Sequence, residues 1–108
     1  MKIIKFLLIV FFISMSNNIT SIADEAKMKK GLEIFNETAA CAACHILKAA
    51  GSEGNIGPNL DTVSMTIESV TDMVTNGLGV MPAFGEGDML TKEEIEIVSY
   101  FVVNSVKN

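Results

Sequence analysis

Residues 41–45 read Cys-Ala-Ala-Cys-His, and this segment holds both cysteines and the only histidine of the 108-residue chain. Several kinds of site use a Cys-x-x-Cys pair. A structural zinc site takes four protein ligands and an iron–sulfur cluster takes four cysteines, which is more than this chain supplies. A thioredoxin-type pair belongs to a βαβ unit, of which the sequence shows no sign. A disulfide across so short a loop would stabilise little and would leave His45 without a role.

The Cys-x-x-Cys-His spacing is typical of covalent haem attachment. In that chemistry the two thiols add to the vinyl groups of the porphyrin, and the histidine that follows becomes an axial ligand of the iron. One turn between the sulfurs matches the separation of the vinyls. The segment therefore predicts one haem c, attached through Cys41 and Cys44, with His45 on the iron. A dithiol redox switch without haem is the alternative.

The first residues resemble a secretory signal peptide. Lys2 and Lys5 precede an apolar run over residues 6–13, polar residues follow, and small residues at positions 21 and 23 suit a signal peptidase. We therefore expect a signal peptide over residues 1–23 and one domain over 24–108, exported to the periplasm, or to the thylakoid lumen in a photosynthetic cell. An uncleaved signal could still tether the protein, although the apolar run is far shorter than the roughly 20 residues that span a bilayer.

The charge balance narrows the class of partner. The formal net charge is −5 at pH 7, and the eight basic residues are all lysine. Nucleic acid and anionic lipid are polyanions that such a surface repels, so we expect neither as a partner. Redox proteins with basic docking surfaces are favoured instead, and we expect a monomer without stable membrane insertion.

Three segments have the apolar spacing of helices. The first covers residues 25–37, with Met28, Gly31, Leu32 and Phe35 on one face. The second begins at a capping threonine and ends at a glycine; its apolar face comprises Ile67, Val70 and Val74, between Thr66 and Gly77. The third follows a Thr-x-x-Glu capping box and is apolar nearly all round; its residues are Thr91, Glu94, Ile95, Ile97, Val98, Tyr100, Phe101, Val102 and Val103.

Two glycine-rich segments separate these helices. Residues 48–60 and 77–90 have no repeating apolar pattern, and we expect irregular chain in both. No segment shows sustained two-residue alternation. The sequence therefore predicts an all-α fold with three main helices and two long loops, and loops of that length in a compact domain are usually functional.

With these features the chain resembles the class I monohaem cytochromes c. The resemblance covers nearly all of residues 24–108 and is strongest in four segments, at 29–45, 54–60, 81–84 and 93–104. It implies a cytochrome c fold, in which the helices and both loops surround one covalently bound haem. The chain departs from the family in having no arginine, so the haem propionates would rely on backbone amides, lysine or water.

The resemblance also implies roles for single residues. His45 would be the proximal iron ligand, and the Pro58 carbonyl would accept the proton of its other ring nitrogen. Met81 would be the distal ligand. In the first helix, Gly31 and Phe35 would cross the last helix near Ile97 and Tyr100, which would explain a glycine that otherwise costs a helix about 1 kcal/mol.

The sixth ligand has to be chosen among five methionines once Met1 and Met15 leave with the signal. Met28 and Met73 lie on apolar helix faces, where methionine commonly fills the core. Met81 lies mid-loop before a proline, which restricts its backbone to extended shapes. We therefore predict Met81 as the ligand, with Met65 and Met89, beside helix starts, as alternatives.

A His/Met pair raises the reduction potential and fills both axial positions of the iron. The sequence thus predicts an electron carrier rather than an enzyme, acting between a quinol-oxidising complex or a dehydrogenase and a terminal oxidase or photosynthetic acceptor. The alternative is a haem enzyme or gas sensor in which the methionine is absent from the iron or leaves it.

Overall fold

The computed structural model describes residues 21–106, and the predicted signal segment lies almost entirely outside this range, so its cleavage stays a prediction. The all-α prediction is confirmed. The first helix, α1, covers residues 21–33 of the described chain and continues into a single π-helical stretch. The remaining elements follow in chain order: the π-helical stretch Ile34–Thr38, a 3₁₀ turn at Cys41–Ala43, strand β1 (Ile46–Leu47), a 3₁₀ turn at Lys48–Ala50, strand β2 (Ser52–Glu53), a 3₁₀ turn at Leu60–Thr62, and helices α2 (Ile67–Asn76) and α3 (Lys92–Val106).

The irregular chain expected from residue 48 onward is wrong in part. Strands β1 and β2 form a short antiparallel ribbon in which Ile46 pairs with Glu53 and Leu47 with Ser52. The Ser52 hydroxyl closes the ribbon, accepting the Leu47 N–H at 2.9 Å. Strands of two residues are too short for an alternating apolar pattern to show in the sequence.

Helix α2 begins and ends where its sequence signals predicted. The Thr66 hydroxyl accepts the Ser69 N–H at 3.1 Å, and the Ser69 hydroxyl accepts the Thr66 N–H at 3.1 Å, which completes a capping box. Gly77 ends the helix at φ 70°, a conformation that glycine adopts without strain. Val70 and Val74 form its buried face.

Helix α3 supplies much of the core. Thr91 and Glu94 form the predicted capping box, with Glu94 Oε2 accepting the Thr91 N–H at 2.8 Å and Thr91 Oγ1 accepting the Glu94 N–H at 3.1 Å. Most of its apolar side chains are buried, and the hydrophobic core of the domain comprises Ile34, Phe35, Leu47, Val70, Val74, Phe84, Leu90, Ile95, Val98, Phe101, Val102 and Val103. The core thus collects residues from the π-helical stretch that continues α1, from α2 and α3, and from the second glycine-rich segment.

Helices α1 and α3 cross at Gly31. A Cβ atom placed there would lie 3.1 Å from the Ile97 carbonyl oxygen and in severe overlap with Phe101. The rings of Phe35 and Phe101 pack with centroids 5.9 Å apart. The predicted crossing near Ile97 is confirmed, and the side chain of α3 that meets Gly31 is Phe101 rather than its neighbour Tyr100, because one residue along a helix turns the side chain by about 100°. Tyr100 instead donates its hydroxyl to Asp24 at 3.3 Å, about two turns before Gly31 on α1.

We expect Gly31→Ala to destabilise the haem-loaded protein. The added methyl would overlap Phe101 and push the helices apart, and such overpacking costs about 1–3 kcal/mol, more than the roughly 1 kcal/mol that alanine gains in helix propensity. Denaturant unfolding measures the difference. Lys29→Ala, on the exposed side of α1, is the control and should leave stability within about 0.5 kcal/mol. A Gly31→Ala variant as stable as the parent would refute the close crossing.

Candidate haem-binding site

The Cys-Ala-Ala-Cys-His segment forms a tight turn directly after α1. The π-helical stretch ends with the Ala39 N–H donating to the Ile34 carbonyl at 2.9 Å. Ala40 then takes a left-handed conformation, φ 53°, which redirects the chain into the 3₁₀ turn Cys41–Ala43. The carbonyl of Cys41 accepts the N–H groups of Cys44 at 3.1 Å and His45 at 3.0 Å. Both sulfurs and the imidazole therefore leave one turn of backbone.

The two thiols are half-buried, and within residues 21–106 both are free of disulfide bonding. Burial raises the pKa of the Cys41 thiol to about 11. Redox-active and metal-binding cysteines have lowered pKa values, because the thiolate is the reactive form. Within the described part of the chain no three His, Cys, Asp or Glu side chains cluster as metal ligands. The raised pKa of Cys41 therefore gives no support to a reactive dithiol pair.

The imidazole of His45 is oriented by the backbone of a distant loop. Its Nδ1 lies 2.8 Å from the carbonyl oxygen of Pro58. Because a carbonyl oxygen only accepts, Nδ1 must carry the proton, and Nε2 is the nitrogen with a free lone pair. This is the arrangement in which an outer acceptor fixes the tautomer and plane of a metal-binding histidine.

Gly57 packs against the same imidazole. A Cβ atom at Gly57 would lie 2.5 Å from His45 Cε1 and 2.9 Å from His45 Nδ1, so only glycine allows the loop to come this close. The Gly57 N–H also donates to the Cys44 carbonyl at 2.7 Å. The imidazole is therefore held by Gly57 and Pro58 together.

Met81 enters from the second glycine-rich loop. Its backbone pairs with Leu78, with N–H to carbonyl distances of 3.0 and 3.2 Å, and the loop is tied back to α2 by the Phe84 N–H, which donates to Val74 at 2.9 Å. The side chain is half-buried and packs against the same core as Cys41. The structure joins Cys41, Cys44, His45 and Pro58 in one cluster, while Met81 lies in a separate, well-anchored loop.

The exposure of the five methionines only partly distinguishes the candidate iron ligands from one another. Met73 and Met89 are 38% and 50% exposed. The core-filling role predicted for Met73 is therefore wrong, because Val70 and Val74 form the buried face of α2. Met28, Met65 and Met81 all pack against the core. Met81 differs from Met65 in the backbone pairing that fixes it, and its role as an iron ligand stays a prediction.

The two loops also expose apolar side chains that a small domain would normally cover. Ile56 is 69% exposed beside Pro58, and Leu78 and Val80 are 69% and 87% exposed beside Met81. Apolar area on both loops suits a large apolar macrocycle. With two free thiols, an imidazole whose Nε2 is available and a half-buried thioether, the residues present fit a covalently attached haem.

Comparison with known proteins agrees with this geometry. Residues 26–102 match the family model described as Cytochrome C oxidase, cbb3-type, subunit III. The chain belongs to the small monohaem class I cytochromes c. Haem c, bound covalently with its iron, is the cofactor of this cytochrome, which is an electron carrier.

Named relatives and a solved structure extend the match over most of this cytochrome. Cytochrome c6 of Porphyra purpurea is 37% identical over 93 residues, which cover 79% of the chain and 77% of the relative. Cytochrome c6 of Gracilaria tenuistipitata var. liui is 35% identical over 113 residues, covering 94% and 96%. The crystal structure of the c-type cytochrome SorU from Sinorhizobium meliloti matches with a TM-score of 0.70 at 44% identity, covering 76% of this chain and 93% of that one. The cytochrome c fold expected from the sequence is thereby confirmed.

Three residues near the site were missed in the sequence or lacked a role. Gly57 lies in the segment 48–60, for which the sequence predicts only irregular chain. Asn59 and Asp61 follow Pro58 and form an Asx turn, in which Asn59 Oδ1 accepts the Asp61 N–H at 3.0 Å. An asparagine two positions before an aspartate, just after a proline, is the available signal for this turn.

None of the helices within residues 21–106 is long and apolar enough to cross a membrane.

Proposed function

We propose that this cytochrome is a periplasmic electron shuttle that works between a quinol-oxidising complex or a dehydrogenase and a terminal oxidase or photosynthetic acceptor. The observation that carries the proposal is the His45 imidazole, whose Nδ1 lies 2.8 Å from the Pro58 carbonyl and whose Nε2 is free for iron. Membership of the cytochrome c family supports the carrier role, and the signal-like first residues support export.

Each residue of the site has a separate role in binding the cofactor. Cys41 and Cys44 would carry the thioether bonds, and His45 and Met81 would be the two iron ligands. Haem c supplies a one-electron Fe(III)/Fe(II) couple when bound. Met81 offers a soft thioether that favours the ferrous state and raises the reduction potential. With His45 and Met81 as its two iron ligands, the haem would have no position for a substrate, so the site suits electron transfer rather than catalysis.

The acidic surface should select partners by charge. The sequence contains thirteen acidic residues and eight lysines, and the acidic side chains are almost all exposed. Complementary charge accelerates the encounter of two proteins and is screened by salt. We propose that the physiological partners present lysine-rich docking surfaces to the cytochrome, which works as a monomer.

Two small oxidants of opposite charge test this steering. Oxidation of the ferrous protein by a cationic cobalt(III)–phenanthroline complex should slow as ionic strength rises from about 0.01 M to 1 M, because the Debye length shrinks from about 30 Å to 3 Å. Oxidation by ferricyanide should accelerate over the same range. Stopped-flow absorbance gives both rates, and rates that stay flat for both reagents would contradict steering by negative charge.

The carrier role itself is tested by redox titration of the same material. A single one-electron wave, together with ferrous protein that does not bind carbon monoxide, is expected of an iron with both axial positions filled. Rapid binding of carbon monoxide would instead show an open site and overturn the proposed role.

A further inference from the structure

Two short segments run side by side at the site, linked by three hydrogen bonds. The Gly57 N–H donates to the Cys44 carbonyl at 2.7 Å, His45 Nδ1 donates to the Pro58 carbonyl at 2.8 Å, and the Lys48 N–H donates to Asp61 Oδ2 at 2.9 Å. Each bond joins residues 13 positions apart. We call these three bonds the clamp. Two of them lie at the histidine, and the third is made by the Asp61 side chain.

Local hydrogen bonds position Asp61 independently of its bond to Lys48. The Asp61 N–H donates to Asn59 Oδ1 at 3.0 Å, and the Thr62 hydroxyl donates to the Asn59 carbonyl at 3.0 Å. These bonds build the 3₁₀ turn Leu60–Thr62, which begins two residues after Pro58. Asp61 is exposed, so burial in the core does not explain its position.

On the other side of the clamp, Lys48 is equally well placed. It follows strand β1 and begins the 3₁₀ turn Lys48–Ala50, three residues after His45. Lys48 thus lies three residues after His45, just as Asp61 lies three residues after Pro58. The bond between them lies three residues along both segments from the bond between His45 and the Pro58 carbonyl.

We propose that Asp61 is a positioning residue for His45, which holds the Pro58 carbonyl against Nδ1 and so sets the electron donation of the imidazole to iron. The proposal rests on the role of His45 as iron ligand. An acceptor on Nδ1 makes the imidazole a more basic ligand, and a more basic ligand stabilises ferric iron. Loss of the third clamp bond should loosen the Pro58 carbonyl and raise the reduction potential.

Asp61→Ala compared with Asp61→Asn separates the hydrogen bond from the charge. Both variants remove the negative charge, which by itself raises the potential. The asparagine Oδ1 can still accept the Lys48 N–H, whereas alanine cannot. Only the difference between the two variants therefore belongs to the clamp.

Lys48→Pro compared with Lys48→Gln removes the same bond from the donor side. Proline lacks the N–H and is tolerated at the first position of a helical turn. Leu47, before it, is extended at φ −149° and ψ 111°, as a residue before proline requires. Both Lys48 variants lose a positive charge, which lowers the potential. A reduction potential that is higher in Lys48→Pro than in Lys48→Gln then has no electrostatic cause. The same holds for a potential that is higher in Asp61→Ala than in Asp61→Asn.

Two measurements on the haem-loaded protein test the proposal: solvent exchange of the His45 Nδ1 proton by NMR in the ferrous state, and the reduction potential. We expect exchange about fivefold faster in Asp61→Ala and in Lys48→Pro than in their matched variants, as loss of one hydrogen bond implies. We also expect a higher potential in each. Equal exchange and equal potentials within both pairs would overturn the proposal.

Either pair suffices alone if one variant does not fold. The unmodified protein distinguishes failure of the clamp from failure of the proposed function. If its visible spectrum shows a histidine-ligated, low-spin haem while both pairs behave alike, only the role of Asp61 is wrong. If the unmodified protein lacks that spectrum, the ligand role of His45 is wrong, and the inference about Asp61 is overturned with it.

Discussion

Replacing Met81 with alanine should lower the reduction potential and open the iron to external ligands. The thioether is the soft ligand that favours ferrous iron, and axial ligands together set haem potentials over about 0.8 V. We expect the shift to be a sizeable part of that range. The ferric protein should lose its near-infrared sulfur-to-iron band, and the ferrous protein should bind carbon monoxide quickly. Redox titration and flash photolysis measure these changes.

Met65 provides the most demanding control, because it also packs against the core in a half-buried position. Met65→Leu and Met89→Leu preserve apolar volume and should leave the near-infrared band in place. If Met65→Leu abolished the band while Met81→Ala kept it, Met65 would be the ligand and the assignment of Met81 would be wrong.

Gly57→Ala should displace the His45 imidazole and destabilise the protein. The new Cβ would lie 2.5 Å from His45 Cε1, which real contacts do not permit, so the ring or the loop has to move. The expected cost combines overpacking, about 1–3 kcal/mol, with a weakened hydrogen bond to Pro58, about 1 kcal/mol. That is a large share of the 5–15 kcal/mol that stabilises a typical domain. Denaturant unfolding of the haem-loaded protein and its visible spectrum measure the effect.

Gly51→Ala is the matched control for Gly57→Ala. Gly51 has φ 65°, and a Cβ there would meet open space. Alanine at this position should cost only the backbone strain of a left-handed residue, about 1–2 kcal/mol, with no change in the haem spectrum. Equal stability and unchanged spectra for the two variants would show that Gly57 does not support the ring.

Local signals in the sequence were sufficient for the helices and for the attachment turn. Helix α2 begins after Thr66 and ends at Gly77 as predicted, and Thr91 and Glu94 cap α3. Both signals are local, because capping depends on residues three or four positions apart. The Cys-x-x-Cys-His motif is equally local. Its chemistry could be predicted from spacing alone, and the family comparison supports the haem that the motif predicts.

Contacts between distant segments could not be predicted from residue spacing. The packing of Gly57 on His45, the bond from Lys48 to Asp61, and the choice of Phe101 over Tyr100 opposite Gly31 all depend on how loops and helices meet in space. The resemblance suggested the pairing of His45 with Pro58, but nothing local showed that Asp61 joins it. The exposed position of Met73 has the same origin, since packing against α3 decides which face of α2 is buried.

The most direct test of the account is the mass and absorbance of the protein after export from a host that matures c-type cytochromes. We predict a chain that begins at Asp24 and carries one haem, with strong Soret absorbance and no cysteine open to alkylation. Haem on a chain that still begins at Met1 would change only the signal assignment. Colourless protein whose Cys41 and Cys44 both react with an alkylating reagent would contradict the central claim that these two thiols carry a haem.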